Sequence, residues 1–296
     1  MHGWPDLSFG WRYQVPFLLS LGLRVIVPDM LGYGRTDAPE AVAEYSMKKI
    51  AGDLAALVAH VVGPGERIIL GGHDWGGAVV WKMAMWRPEL VRAVFSVCTP
   101  YGPPRAEYVD LETMVRILPN FKYQLQLAGP DVEAAVVGTK RLRQFLNAMY
   151  GGRAPNGEAG FTTEGVRLDI LDDIEQSPLL SAEEVDFYTD EYTRHGMHGP
   201  LNWYRALGIN YEEEKVLLEE KPPRTRITAP SLIITASRDT ALPPSMTANM
   251  GQHFDSLRRR EVDAGHWALW QAAADVNKHI GEFLSGVLGA EYTSKL

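Results

Sequence analysis

The chain has 296 residues, 46% apolar and 22% charged, enough for one large core plus an insertion or for two domains. Its formal net charge of −8 excludes a general nucleic-acid or anionic-membrane binder, because phosphate contacts need a basic face. Its apolar runs all fall short of the ~20 residues of a membrane span, and its single cysteine, Cys98, excludes an internal disulfide and fits a reducing compartment.

Residues 23 to 28, "LRVIVP", are β-branched and bounded by Gly22 and Pro28, which predicts a short buried strand. A turn-rich loop follows, "DMLGYGRTDAP", in which Asp29 is expected to support the Gly32–Gly34 turn. "YSMKKIAGDLAALVAHV" has helical spacing, with Ser46 as its expected N-cap. "RIILGG" reads as a strand, "AVVWKMAMWRPEL" as a helix that stops before Pro88, and "VRAVFSVCTP" as a strand. This alternation implies an α/β fold with a parallel sheet covered on both faces. From about Pro103 the rhythm becomes helical, in "AEYVDLETMVRIL", "VEAAVVGTKRLRQFLNAMY" and "SAEEVDFYTDEYTRHG", with "GGRAPNGEAG" as a loop. Strand grammar returns in "APSLIITAS" and "LRRREVDAG", before a last amphipathic helix, "ALWQAAADVNKHIGEFLSGVL". The expected division is therefore 1–104 as the first part of an α/β core, 105–222 as an inserted helical cap domain, and 223–296 as the second part of the core.

The stretch "IILGGHDWGGAVV" places Asp74 at an apparent strand-to-helix corner, where many hydrolases place a serine. Asp is a favoured N-cap, so the residue alone has a structural explanation. Gly72 and Gly76 stand at the spacing of a sharp elbow that lifts the central side chain above the sheet, and Gly77 allows close helix packing. A nucleophile needs a base and a group that orients it. In hydrolases with such an elbow the acid follows the nucleophile along the chain and the histidine follows the acid. Asp239 ends the strand "SLIITAS" and His266 follows the strand "REVDAG", so both face the same sheet rim as Asp74. His73 is expected to face the core. An oxyanion hole would take one N–H from Trp75, after the nucleophile, and one from Trp4 in the loop "HGWPD". The eight histidines include no pair at zinc-ligand spacing, so no metal and no cofactor is expected.

Taken together, "HGWPD", "DMLGYGRTDAP", "GGHDWGGAVVW", "TASRDTALPP" and "AGHW" resemble the epoxide hydrolase branch of the α/β-hydrolase superfamily, from His2 to Trp267 and into the final helix. "NFKYQLQL" and "GPLNWYR" resemble the two cap segments of that branch that carry tyrosines, here Tyr123 and Tyr204. The resemblance implies that these phenols hold and protonate an epoxide oxygen. It also implies hydrolysis of an epoxide to a vicinal diol through an ester of Asp74, with His266 activating water and Asp239 orienting His266. A carboxylate suits attack on an alkyl carbon, since the product is an ordinary alkyl ester. The alternatives are a haloalkane dehalogenase using the same aspartate, with Trp75 gripping the halide, and an inactive truncated isoform. In related proteins the loop "HGWP" leaves a strand preceded by further strands, so this chain is expected to be an N-terminally shortened form that lacks the first strands of the sheet. The closing tripeptide Ser294-Lys295-Leu296 reads as a peroxisomal address for the import receptor, with the cytoplasm as the other compartment.

Overall fold

The structure, a computed structural model, describes residues 1–289. The tripeptide Ser294-Lys295-Leu296 lies outside the described residues. The chain divides into two compact units, one of 1–28, 47–106 and 210–296, the other of 29–46 and 107–209. The helical unit thus takes in 29–46, a stretch whose sequence groups it with the first part of the core.

The first unit is built on a four-stranded parallel sheet. In chain order the strands of the structure are β1 (Ile68–His73), β2 (Val91–Val97), β3 (Phe161–Thr162), β4 (Gly165–Val166), β5 (Ser231–Ala236) and β6 (Leu257–Val262). The sheet order is β1-β2-β5-β6, all parallel. All six residues of β5 are buried, as a central strand covered on both faces requires. The edge strand β6 exposes Arg258, Arg259, Arg260 and Glu261, charges that discourage pairing with another chain. Helix Met47–Val61 buries Met47, Ile50, Ala51, Leu54, Ala55 and Val58, an i, i+3, i+4 stripe. Helix Trp75–Trp86 is buried nearly all round, including Val79, Val80, Trp81 and Met83. Each such apolar side chain removed from water contributes about 1.5–3 kcal/mol before the entropy of ordering is subtracted.

The strands expected at 68–73, 91–97, 231–236 and 257–262 are present. The strand expected at 23–28 is not: the segment forms neither helix nor strand. Its β-branched residues suit a ladder, but a strand exists only where a neighbour accepts its hydrogen bonds, and Arg24 to Val27 make no backbone-to-backbone bond among the described residues. The final helix is also interrupted, into Ala268–Gln271 and Ala273–Leu288, at Ala272 (φ −133°, ψ 41°).

In the helical unit, Gly138–Met149 and Ala182–Thr193 are the two longest helices lying wholly inside it. Ser181 and Glu184 form a reciprocal capping box at the start of the second. The single helix expected over 132–150 is two, Asp131–Ala135 and Gly138–Met149. Val136 and Val137 leave helical geometry and Gly138 takes φ +79°, which two β-branched residues before a glycine favour. β3 and β4 pair as a minimal antiparallel hairpin. Asp29 packs its carboxylate against Gly34, where a Cβ would lie 2.3 Å from Oδ2, and Thr36 donates its hydroxyl to the Asp29 carbonyl at 2.7 Å. That is the turn support expected of Asp29.

Candidate active site

β1 delivers the chain to Asp74, and helix Trp75–Trp86 begins at the next residue. Asp74 has φ 52° and ψ −124°, one of two non-glycine residues with positive φ among the described residues. Such a conformation costs about 1–3 kcal/mol and persists only where the surroundings over-determine it. Here they do. A Cβ on Gly72 would lie 2.1 Å from the Gly76 carbonyl oxygen, one on Gly76 would lie 2.3 Å from the Met1 carbonyl oxygen, and one on Gly3 would lie 2.3 Å from Asp74 Cβ. On Gly77 it would lie 2.5 Å from Ser96 Oγ, so the helix packs hard against the end of β2. Thr99 then donates its hydroxyl to the Asp74 carbonyl at 2.6 Å. The second strained residue, Cys98 (φ 68°), is its neighbour.

The Asp74 carboxylate is nearly buried, at 8% exposure for the residue, and its two oxygens see different partners. Oδ1 accepts the Trp4 backbone N–H at 2.6 Å. Oδ2 lies 3.5 Å from His266 Nε2. Trp75 is the first residue of the helix, so its N–H belongs to the turn that has no intrahelical acceptor. On the far side of the imidazole, Nδ1 donates to Asp239 Oδ2 at 2.8 Å, which fixes Nδ1 as the protonated nitrogen because a carboxylate only accepts. The Asp239 side chain is fully buried, and its other oxygen accepts the Ala241 and Leu242 N–H groups, each at 2.9 Å.

Charge follows from this arrangement. Burial opposes the charged form of both Asp239 and His266. The facing opposite charge and their mutual hydrogen bond outweigh it, so Asp239 falls well below the usual carboxylate range. His266 is pushed up from 6.5 to about 10, supported by Asp239 first and then by Asp74. In the resting site His266 is an imidazolium held between two carboxylates.

The sequence reading thus brings Trp4, Asp74, Trp75, Asp239 and His266 to one rim, and it misses three supports. His73 is fully buried, as expected, but it also donates Nε2–H to the His266 carbonyl at 2.7 Å. Burial lowers its own pKa to about 4, so it stays neutral. The Cys98 thiol points at the same carbonyl, 3.6 Å away. Thr99 steadies the elbow. Adjacency to Asp74 and to the end of β2 was the only available sequence signal for these three.

His73, Cys98 and His266 also carry the one grouping of metal-capable atoms among the described residues, all within 4.8 Å of one another. Metal ligands must shed their protons. Here His266 Nδ1–H is committed to Asp239, and burial pushes the Cys98 thiol far above its ordinary pKa.

In the helical unit, Tyr123 opens helix Tyr123–Ala128 and Tyr204 lies on helix His198–Arg205. Their rings meet edge to face, 6.3 Å apart at 80°. Arg205 ties the two helices together. It donates to the Ala128 carbonyl at 3.2 Å and the Gly129 carbonyl at 3.1 Å, and pairs with Glu133 at 2.7 Å. Glu133 also holds His198 Nδ1 at 2.8 Å. The pairing of these two segments across 81 positions was carried by motif resemblance alone; the arginine staple had no signal of its own.

Comparison with known proteins gives a consistent result. The pattern described as alpha/beta hydrolase fold matches residues 1–273. An epoxide hydrolase of Neurospora crassa, srdG, is 46% identical over 97% of this chain and 86% of its own length. Bifunctional epoxide hydrolase 2 of Rattus norvegicus is 33% identical across the whole chain, which spans 53% of that longer protein. Among solved structures, epoxide hydrolase A from Mycobacterium thermoresistibile superposes with a TM-score of 0.79 at 30% identity, covering 96% of this chain and 89% of that one.

Proposed function

We propose that this chain, which belongs to the α/β-hydrolase family, hydrolyses epoxides to vicinal diols through an ester of Asp74. The observation that carries the reading is the division of labour on one carboxylate. Asp74 Oδ1 is held by the Trp4 amide, and Oδ2 faces His266, which is backed by the buried Asp239. The relatives named as epoxide hydrolases support it.

On this reading Oδ2 attacks one carbon of the strained ring, the C–O bond breaks, and Asp74 becomes a neutral alkyl ester. The departing oxygen takes a proton from Tyr123 or Tyr204, the paired phenols of the 105–222 cap. Esterification removes one of the two carboxylates that hold the His266 proton, so the imidazolium becomes more acidic and gives up that proton to solvent as the phenolate left by ring opening takes one back, leaving His266 as the neutral base. His266 Nε2 then takes a proton from water, whose oxygen adds to the ester carbon. The oxyanion collects on the oxygen facing the Trp4 and Trp75 amides. Collapse expels the diol oxygen as an alkoxide that takes the proton still on the added hydroxyl, so the diol keeps Oδ2 and the water oxygen stays in the Asp74 carboxylate. Asp239 stabilises the imidazolium throughout.

The test is a single turnover in oxygen-18 water, run on epoxides and haloalkanes in parallel. The expected product is unlabelled diol with label in the peptide that carries Asp74. Label entering the diol directly would overturn the ester, and halide release without epoxide opening would assign the dehalogenase chemistry instead.

The proposal extends to location. Ser294-Lys295-Leu296 would be read by the peroxisomal import receptor, a setting that fits epoxides of fatty-acyl lipids. Removing Leu296 from a protein tagged at its other end should change a punctate distribution into a diffuse one. Unchanged puncta would refute the address.

A further inference from the structure

The two groups that address Asp74 come from segments far apart in the chain. The Trp4 amide holds Oδ1 at 2.6 Å, and His266 Nε2 faces Oδ2 at 3.5 Å. Trp270 joins these segments, and it takes no part in the steps above. Trp267 caps the short helix Ala268–Gln271, and Trp270 lies three positions on, so the two side chains are neighbours on one face. Their rings stack at 5.0 Å and 11°. Trp267 meets the His266 ring edge to face at 5.2 Å and 79°, and the His73 ring at 5.8 Å. His73 also holds the His266 carbonyl. The imidazole is thus packed by an indole that rests on Trp270.

Trp270 is also fastened to the segment that carries Trp4. Its Nε1–H donates to the Gly10 carbonyl at 2.8 Å. The Arg12 guanidinium lies 4.7 Å from its ring centre and 4.8 Å from those of Phe9 and Tyr13, a cation seated on aromatic faces. Buried Gln14 adds a second tie, donating to the Leu269 carbonyl at 2.9 Å. Between Trp4 and Gly10 the chain is stiff. Asp6 N–H bonds the Gly3 carbonyl at 3.1 Å, and Gly10 N–H bonds the Leu7 carbonyl at 2.9 Å. A Cβ on Gly10 would lie 2.1 Å from Asp6 Oδ2. A shift at Gly10 is therefore passed on to the Trp4 amide.

We propose that Trp270 is a positioning residue, which ties the Trp4 segment to the His266 turn and so sets the spacing of oxyanion donor and base across Asp74. Its kinetic consequence rests on the Asp74 ester proposed above. Ester hydrolysis needs both groups at once, the imidazole to take a proton from water and the amide to receive the oxyanion. Alkylation asks only that Oδ2 reach carbon. Loosening the tie therefore falls on hydrolysis. It also draws His266 away from the carboxylates that hold its proton from 2.8 and 3.5 Å.

The experiment compares Trp270→Phe, which keeps a ring for the stack and loses the bond to Gly10, with Trp270→Leu, which loses both. The His266 titration is followed without substrate by nitrogen-15 NMR of the histidine rings, assigned with His266→Gln. Its midpoint, about 10 in the parent, should fall toward 6.5. The fall should be roughly one pH unit in Trp270→Leu, a tenfold loss of proton affinity, and smaller in Trp270→Phe. In rapid quench with an epoxide, Trp270→Leu should slow ester hydrolysis by about 10–10²-fold, the effect of a misplacement near 1 Å, and slow alkylation far less. Trp270→Phe should stand between it and the parent. Where Trp270→Leu does not fold, Trp270→Phe decides: a parent midpoint and a parent hydrolysis rate in it would overturn the proposal. So would a Trp270→Leu protein that melts lower with midpoint and hydrolysis unchanged, or one in which both chemical steps slow equally. If the parent itself forms no ester, the ester reading fails, and the midpoint alone upholds or overturns the tie.

Discussion

His266→Gln should strand the enzyme as its own ester. Glutamine keeps a donor for Asp239 and much of the ring's volume, but it cannot take a proton from water. Alkylation of Asp74 should proceed, and hydrolysis should fall by something on the order of 10²–10⁴-fold. Intact-protein mass spectrometry of the variant mixed with epoxide should show a gain equal to one substrate, mapping to the peptide with Asp74. A variant that loses turnover with no mass gain would show that His266 acts before the ester forms. The parent enzyme supplies a second readout. His266 must be neutral to act as base, and before alkylation its pKa stands near 10 because two carboxylates hold its proton. Ester hydrolysis in the parent should therefore rise with pH, with a midpoint below 10, since the ester no longer carries the Asp74 charge. The same shift bears on stability, and its sign is fixed. A raised histidine pKa contributes fully below 6.5 and is lost as pH rises toward about 10. The depressed Asp239 contributes above its ordinary value near 3.8 and is lost as pH falls through its lower folded value. Both contributions are complete between about pH 4 and 6.5, and His266→Gln should flatten the alkaline side of the stability profile.

The second large effect belongs to the phenols. Tyr123→Phe and Tyr204→Phe each keep the ring and its edge-to-face contact with the other, 6.3 Å between centroids, and remove one hydroxyl. Alkylation measured by rapid quench should slow by up to 10²–10⁴-fold in each, less where the remaining phenol still reaches the departing oxygen. The double variant should lose epoxide alkylation almost entirely while its melting temperature stays close to the parent's. Undiminished epoxide turnover in the double variant would remove the tyrosines from the mechanism. Because Arg205 staples both helices through Ala128, Gly129 and Glu133, a change at that arginine should disturb both phenols together, whereas each Phe variant reports on one.

How much of this was legible in the sequence depends on the range of the interaction that decides each feature. The elbow was legible because its main cause is local: a Cβ on Gly72 would lie 2.1 Å from the Gly76 carbonyl oxygen four residues on, beside the strained Asp74, whereas the glycine at 76 is also required by the Met1 backbone far along the chain. The four strands of the main sheet were legible because a buried strand writes its own apolar run, as "SLIITA" does. Asp239 and His266 were legible because strand ends of a parallel sheet share a rim. The helical content of the inserted stretch was legible from its periodicity, although its break at Val136–Val137 turned on backbone geometry that spacing alone does not report. What the tertiary structure decided depends on partners distant in the chain. "LRVIVP" has the composition of a strand, but a ladder is a property of two segments, and Arg24 to Val27 make no backbone-to-backbone bond among the described residues. His73 reads as an ordinary core histidine until the fold sets its Nε2 2.7 Å from the carbonyl of His266, 193 positions later. The protonation of His266 is likewise absent from its own neighbourhood in the sequence. It is fixed by two carboxylates on other strand ends, whose opposite charge at 2.8 and 3.5 Å outweighs the cost of burying the imidazolium.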